Sequence, residues 1–225
     1  MYEFQTAPYA HQKKIFDNTW GARNHALFLE MGTGKSKIAI DTLAALYEAG
    51  AVNTALIVAP KGVYGNWVMK ELPQHLPARI PVKIVQWQPN VTKKFREALT
   101  ELADPSHTDL HILVMNVEAL STMKGSASAF KFLKMNPDNM FIMDESTSIK
   151  NRKALRTKNA VKAAGLAKYR RILTGSPITR NPMDLYSQCD FLSPKLLGFK
   201  SFFAYQARYA IVRRRAMGNR SFREC

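Results

Sequence analysis

The chain has 225 residues, of which 46% are hydrophobic and 22% charged, as in an ordinary globular protein. Its 33 Lys and Arg residues against 17 Asp and Glu residues give a formal net charge of +16, which favours a polyanionic partner, nucleic acid first. No apolar run approaches the ~20 residues that span a bilayer, and residues 1–14 lack the apolar centre of a signal peptide, so we expect a cytoplasmic protein that is neither secreted nor membrane-bound. The two cysteines and five histidines show no ligand spacing, which predicts no structural metal.

Six short apolar runs along the chain predict buried β-strands. The central runs are almost continuously apolar and do not alternate with polar residues, which is typical of strands covered on both faces of a parallel sheet. The predicted strands are 25–29, 54–60, 82–87, 111–116, 139–145 and 169–175.

Helical patterns separate several of these runs. Residues 39, 43, 46 and 47 share one apolar helical face, and Gly50 follows where a C-terminal cap is expected. Further helices are predicted over 93–103 and 153–166, whereas 128–140 and the tail after Lys200 give no clear pattern. This alternation predicts an α/β fold, a doubly wound and mainly parallel sheet with helices on both faces.

The stretch LFLEMGTGKS (27–36) lies between a predicted strand and a predicted helix. The usual phosphate-binding loop has a glycine six residues before its lysine, and here that position is Leu29. Gly32 and Gly34 would still let backbone amides approach phosphate oxygens. Lys35 would reach the β and γ phosphates, and the Ser36 hydroxyl would ligate magnesium. Taken alone, the loop is equally compatible with a structural turn.

The stretch MFIMDESTSIKN (140–151) places two acids at the end of an apolar strand. In nucleotide hydrolases, an acid in the position of Asp144 helps to hold magnesium, and a neighbour such as Glu145 polarises the attacking water. The alternative is an exposed Asp-Glu turn. A core position is disfavoured because burying charge is costly.

With both motifs in place, roughly residues 5–210 resemble the first motor lobe of superfamily-two helicases and translocases, and more narrowly the Swi/Snf-type DNA translocases. Their loop, Asp-Glu-Met-Gly-x-Gly-Lys-Thr, is similar to LEMGTGKS and normally lacks the first glycine. The resemblance implies a RecA-like lobe that binds ATP and Mg²⁺, with the adenine contacted by Gln12 of PYAHQ (8–12). The implied ATP-binding residues are Gln12, Met31, Gly32, Thr33, Gly34, Lys35 and Ser36, with Ser36 and Asp144 on the metal and Glu145 and Asp144 as catalytic residues.

Three further stretches resemble family motifs in the family's order. LIVAPKGVYGNWVMKEL (56–72) resembles the first DNA-contacting motif, and ILVMNVEAL (112–120) resembles the family's next strand and loop. Together they imply contacts from Pro60, Lys61 and Asn116. ILTGSPITRNPMDLYS (172–187) resembles the motif that couples ATP to DNA and implies roles for Thr174, Gly175 and Ser176. Two departures bear on coupling: Thr147 stands where a histidine is frequent, and Thr179-Arg180 replaces a Gln-Asn pair.

The positive charge is concentrated in residues 146–183, which contain no acid. Such clustering fits a protein that follows a phosphate backbone of any sequence, and Lys150 and Arg152 join the predicted DNA contacts. Lys158 and Lys162 are predicted to lie on a solvated helix face. The other basic residues noted are Lys153, Arg156, Lys168, Arg170, Arg171 and Arg180, followed in the tail by Arg208, Arg213, Arg214, Arg215, Arg220 and Arg223.

The three tryptophans, Trp20, Trp67 and Trp87, could stack on bases, but we expect each to pack in the core.

Translocases of the family carry two such lobes, and the second supplies arginines to the transferring phosphoryl group. We therefore expect an ATP-binding lobe over 1–200, a basic segment over 201–225 that leads towards a second lobe in cis, and little ATP turnover by one lobe. We favour a fragment of a longer chain over a natural single-lobe protein. The compact form and the DEST variant suggest a bacteriophage or bacterial member, which would place the protein in the host cytoplasm if viral.

Three alternatives to a duplex-DNA translocase stay open at this point. A helicase acting on RNA or branched DNA would share these motifs. A non-catalytic module that binds ATP and nucleic acid is favoured by the single lobe but not by the intact Lys35 and Glu145. A small-molecule kinase is disfavoured by the Asp-Glu and LTGSP pattern.

Overall fold

A computed structural model describes residues 2–90, 92–104, 106–194, 196–211, 213–217 and 220–224. Its centre is a six-stranded sheet with the strand order β1-β6-β5-β2-β4-β3, in which every neighbouring pair is parallel. The strands are β1 (Asn24–Phe28), β2 (Thr54–Ala59), β3 (Val82–Gln86), β4 (Leu110–Asn116), β5 (Asn139–Asp144) and β6 (Tyr169–Thr174). All six predicted strands are confirmed, with ends that differ by no more than one residue.

Helices connect the strands on both sides of the sheet. They are α1 (Ala10–Thr19), α2 (Lys35–Glu48), α3 (Tyr64–Asn66), α4 (Leu72–His75), α5 (Lys93–Leu102), α6 (Met123–Met135), α7 (Leu155–Ala164), α8 (Asp184–Leu192) and α9 (Phe202–Tyr209). A π-helical turn (Trp67–Glu71) joins α3 to α4, and 3₁₀ turns cover Val117–Ser121 and Ser146–Ile149. The three helices predicted from the sequence correspond to α2, α5 and α7.

The two faces of the sheet have separate apolar cores. On β2, Leu56 and Val58 contribute to the core beneath α5, α6, α7 and α8, whereas Ile57 contributes to the core beneath α2 and α4. All three side chains are fully buried. A strand that is buried on both sides needs apolar residues at every position, which explains the continuous runs and confirms the doubly wound fold.

After the sheet, α9 packs against α8 through aromatic side chains. Tyr205 is 3% exposed, its hydroxyl donates to the Pro182 carbonyl at 2.8 Å, and its ring lies 5.5 Å from that of Tyr186. The chain then forms an antiparallel hairpin of β7 (Arg213–Met217) and β8 (Arg220–Glu224). The side chains of the basic tail from 213 onwards fall outside the described residues.

None of the helices in the described part of the chain is both long and apolar enough to cross a membrane.

Part of the basic run 146–183 has a structural role. It contains the first residues of β6, which lie at the end of the sheet opposite the loops that carry the sequence motifs. Arg171 is 1% exposed, so its expected place on a phosphate-tracking surface is wrong. Its guanidinium donates to the carbonyls of Thr19, Trp20, Arg23 and Arg170 at 2.9–3.3 Å and thereby fixes the end of α1 to β1 and β6. Burial lowers its pKa to about 10.

Two other cations near Arg171 in this run also have local partners. Lys168 donates to Asp138 at 2.6 Å, and Arg170 donates to the Leu192 carbonyl at 3.0 Å. Lys158 and Lys162 are exposed on α7, as predicted.

Replacing the buried guanidinium should destabilise the lobe. Arg171→Met leaves several buried carbonyls without a donor, and we expect the free energy of unfolding to fall by at least about 2 kcal/mol in urea denaturation. The matched control Lys158→Met alters an exposed cation and should stay within about 0.5 kcal/mol. An Arg171→Met protein as stable as the parent would show that these carbonyls need no protein donor.

Candidate active site

The loop between β1 and α2 has a backbone that depends on glycine. Gly32 and Gly34 have φ angles of 78° and 83°, in the left-handed region that side chains disfavour. A Cβ atom added to Gly34 would also overlap the carboxamide of Gln12. The loop is therefore a closely fitted structure against α1, and any larger residue at position 34 would disturb both.

This loop presents a cradle of positive partial charge. Among the described residues, no acceptor bonds to the backbone N–H groups of 32–36, which surround the N-terminus of α2. The Lys35 ammonium is nearly buried and donates to the carbonyls of Leu29 and Glu30 at 3.0 and 2.9 Å. Free amides at a helix N-terminus together with a lysine fit the phosphates of a nucleotide.

Gln12 joins α1 to the same loop. Its Nε2 donates to the Thr33 carbonyl at 3.0 Å, and its Oε1 accepts from the Tyr9 N–H at 3.0 Å. The side chain is 4% exposed and is fixed beside the cradle. Its contact with an adenine base stays a prediction.

The acid pair lies at the end of β5 and is half-buried, so it is not an exposed turn. Asp144 Oδ2 accepts from the Trp67 indole N–H and Oδ1 from the Glu145 N–H, both at 2.9 Å. Burial raises the pKa of Asp144, and the hydrogen bond from Trp67 opposes that shift. Glu145 has a φ of 45°, which places a non-glycine residue in the left-handed region, a strain often found at functional sites.

Thr174 lies between the cradle and the acids because β6 is the strand between β1 and β5. Its hydroxyl donates to Glu145 Oε2 at 3.2 Å, and its carbonyl accepts from the Leu29 N–H at 3.3 Å. The hydroxyl also accepts from the Ser176 N–H at 3.2 Å. Through Thr174, the segment 172–187 thus contacts both the loop before α2 and the acid pair.

Gln188 is a site residue that the sequence reasoning missed. Ser146, next to the acid pair, donates to Gln188 Oε1 at 2.6 Å, and Gln188 Nε2 donates to the carbonyls of Pro177 and Asp184 at 2.7 and 2.8 Å. Gln188 is fully buried on α8. This link joins the segment that follows β5 to the segment that follows β6, one residue before Thr147. Its only sequence signal is an amide on a helix face that is otherwise apolar.

A second link involves Lys150, whose ammonium contacts the Thr179 hydroxyl and lies 3.7 Å from Asp184. Asp184 Oδ2 accepts from the backbone N–H groups of Thr179 and Arg180 at 3.0 and 2.9 Å and so folds the loop before α8. Nearby, the Arg152 guanidinium lies 4.4 Å from the centre of the Phe202 ring. The predicted DNA contacts Lys150 and Arg152 thus already have protein partners.

The other predicted DNA residues lie together at the same edge. Ala59 and Asn116 are register partners on β2 and β4, which brings Pro60 and Lys61 beside Asn116. Lys61 is exposed, whereas the Asn116 side chain caps the following 3₁₀ turn by accepting from the Ala119 N–H at 2.8 Å.

Two tryptophans pack in the core as predicted: Trp67 and Trp87 are 1% and 3% exposed. The predicted core position is wrong for Trp20, which is 36% exposed and stacks on Phe16 with ring centres 6.5 Å apart. The role of Trp67 as a donor to Asp144 was not predicted.

Fold and site together define an α/β lobe with a glycine-dependent loop before α2 and an acid pair at the end of β5. A family model described as the SNF2-related domain matches residues 15–223, and the chain belongs to this family. Among curated relatives, it is 30% identical over 167 residues to the ATP-dependent helicase fft1 of Schizosaccharomyces pombe, covering 74% of this chain and 16% of that protein. It is 31% identical over 170 residues to the Danio rerio SWI/SNF-related regulator of chromatin subfamily A containing DEAD/H box 1A, with the same two coverages.

A solved structure, the Sulfolobus solfataricus SWI2/SNF2 ATPase core in complex with dsDNA, has a TM-score of 0.68 and 21% identity, covering 93% of this chain and 40% of that one. This similarity confirms the RecA-like fold of the lobe. The chain spans about 16% of the length of the curated relatives given above.

The Gln188 link should be measurable as a coupling free energy. Gln188→Leu leaves the Ser146 hydroxyl and the Pro177 carbonyl unpaired, and we expect it to lower the free energy of unfolding by about 1–3 kcal/mol. Ser146→Ala should recover part of that loss in the double variant, since the pair shares one hydrogen bond. Urea denaturation of the four proteins gives the cycle. Strict additivity of the two substitutions would contradict the link.

Proposed function

We propose that this chain is the ATP-binding lobe of a DNA-dependent ATPase that translocates on or remodels duplex DNA. The observation that carries the proposal is the convergence of the amide cradle, Lys35, the acid pair and Thr174 at one edge of the sheet. Family membership supports it, because the relatives include proteins named as an ATP-dependent helicase and as chromatin-remodelling ATPases.

In this proposal the chain's own groups divide the work on ATP. The free amides of the loop and the Lys35 ammonium bind the phosphates, and Gln12 lies where it can contact the base. Ser36 and Asp144 would hold Mg²⁺, which when bound neutralises developing phosphate charge. The Trp67 N–H fixes the Asp144 carboxylate. Glu145 orients the attacking water and accepts its proton, while Thr174 holds the Glu145 carboxylate.

Full turnover is proposed to need a second lobe. The cradle and acids lie on one edge of one lobe, so the γ phosphate of bound ATP would face solvent on its far side. Preorganised cations facing that charge are usually the largest electrostatic contribution to catalysis. Arginines from a second lobe would supply them, in line with the small share of each relative that this chain spans.

Duplex DNA is the proposed polymer. The net charge of +16 supports an anionic partner, and a fold neighbour is named as a complex with dsDNA. Pro60, Lys61 and Asn116 offer a contact surface at the end of β2 and β4, with the Lys61 ammonium exposed. Lys150 and Arg152 stay in the proposed interface, although DNA would then have to share them with Asp184 and Phe202.

Two substitutions test the ATP site. Lys35→Ala should abolish binding of a fluorescent ATP analogue to residues 1–225, because it removes the charge facing the β and γ phosphates. Glu145→Gln should preserve that binding but lower turnover by about 10²–10⁴, measured as phosphate release in a chain that includes the second lobe. Glu97→Gln, an exposed acid on α5, is the matched control. Unchanged turnover in Glu145→Gln would refute the assignment.

The DNA contact is tested by salt dependence. The affinity of residues 1–225 for fluorescent duplexes should not depend on sequence and should fall steeply with salt, because cations displace counterions from phosphates. Lys61→Ala should reduce the slope of log affinity against log salt by about 1, whereas Lys158→Ala should leave it unchanged. A flat salt response, or equal effects of the two variants, would speak against this surface.

A further inference from the structure

A groove of about 620 Å³ lies between α5 and α6, on the sheet face that carries α7 and α8. Its volume is within the range of about 300–1,000 Å³ that is usual for ligand pockets. None of its lining residues belongs to the ATP site or to the proposed DNA contacts. The lining residues are Trp87, Arg96, Leu99, Thr100, Ala103, Lys124, Ser128, Lys131 and Phe132.

The two walls of the groove are regular helix faces. On α5 the lining positions are 96, 99 and 100, with 103 directly after the helix, and on α6 they are 124, 128, 131 and 132. These spacings place each set on one side of its helix. Trp87 and Phe132 lie buried beneath the floor, at 3% and 2% exposure, and the apolar side chain open to an occupant is the partly exposed Leu99. The groove is thus an apolar pit between two polar rims.

Its rims carry charge of one sign. Arg96, Lys124 and Lys131 are exposed, and no carboxylate lines the groove. Within the described residues, none of these three cations forms an ion pair. Glu97 and Glu101 of α5 do not line the groove; they line the adjoining surface, which shares Arg96 with the groove, and Glu101 pairs with Lys83. An occupant must therefore bring negative charge to both rims and an apolar group to the centre.

Nucleic acid fits this arrangement poorly. A base needs the open face of an aromatic ring to stack on, but the Trp87 ring is 3% exposed and packs edge-to-face with Phe95 at 5.5 Å. A phosphodiester backbone would satisfy the cations but would leave the pit empty. Carboxylates that flank a leucine or phenylalanine side chain satisfy the rims and the pit together.

We propose that the α5–α6 groove is a docking site for an acidic peptide segment of a partner protein, with one or two apolar residues in the pit and carboxylates on Arg96, Lys124 and Lys131. The site is separate from the ATP cradle, so a partner can be held while nucleotide is bound or released. The inference does not depend on the proposed function.

The probe is a fluorescein-labelled peptide, Glu-Glu-Asp-Leu-Phe-Asp-Glu-Glu, titrated with residues 1–225 by fluorescence anisotropy. We expect saturable binding, and at least about tenfold weaker binding for the same peptide with Gly-Gly in place of Leu-Phe or with Gln in place of every acid. Lys131→Glu and Leu99→Glu should each weaken binding by at least about tenfold. Lys134→Glu, an exposed cation of α6 outside the groove, is the matched control and should bind within about twofold of the parent.

Binding in the groove has to be distinguished from unfolding of a variant and from a general effect of net charge. Thermal unfolding of each variant shows whether the lobe remains folded, and Lys35→Ala should bind the peptide like the parent. Absence of saturable binding overturns the proposal. So does an equal loss in Lys131→Glu and Lys134→Glu, or equal affinity for the Gly-Gly peptide, since either result reports net charge alone. A further outcome concerns duplex DNA. If its affinity falls in Lys131→Glu but not in Lys134→Glu, the groove binds nucleic acid and the peptide proposal is overturned as well.

Discussion

Burial of the parallel sheet on both faces is the constraint on which the rest of this structure depends. Strands such as β2 and β4 are covered on each side by an apolar core, so no polar group can act from the middle of the sheet without a large desolvation cost. The polar chemistry is therefore confined to the strand ends. The strand order decides which ends meet, and placing β6 between β1 and β5 puts Thr174 between the glycine-containing loop before α2 and the acids. A different order would keep the same motifs and separate them.

At that edge, hydrogen bonds and one ion pair join two segments that are distant in sequence, and the Ser146–Gln188 bond is fully buried. Glu145 accepts from Thr174, Ser146 is linked through Gln188 to Pro177, and Lys150 lies against the segment capped by Asp184. Breaking a buried hydrogen bond leaves an unsatisfied group, so these links resist separation of the two segments. A displacement of the acids around bound nucleotide would move loop 175–183 with them.

The strands and the loop were predictable because their signals are local. A continuous apolar run reports two-sided burial, and the sequence GTGKS reports a tight loop before a helix. Three other features depend on partners that no local pattern specifies: the Trp67 bond to Asp144, the Gln188 link and the burial of Arg171. In each case a buried polar group is stabilised by a hydrogen-bond partner that is distant in sequence. Sequence reasoning therefore placed Arg171 among surface cations and Trp67 simply in the core.

Helix α6 shows a related limit. Its sequence contains glycine and serine, which weaken helical patterns. A Cβ atom at Gly125 would overlap the Ala119 carbonyl, so the glycine is required by the turn that precedes it. Gly125 lowers the helix propensity of the segment, but the packing of α6 against the preceding turn requires it. The same helix forms one wall of the α5–α6 groove, which was equally invisible in the sequence.

The structure also changes how the net charge is interpreted, because it shows the surroundings of individual cations. Arg171 is internal, Lys168 and Lys150 are held by Asp138 and Asp184, and Lys61 is exposed at the end of β2. A basic residue contributes to long-range attraction wherever it lies, because the field of the whole protein sums over all charges. A basic residue contributes to a specific contact only if its charged head group can reach the ligand without breaking an interaction within the protein. The formal charge of +16 therefore supports rapid encounter with an anionic polymer, whereas a specific contact depends on where each cation lies and on whether its head group is free to reach the ligand.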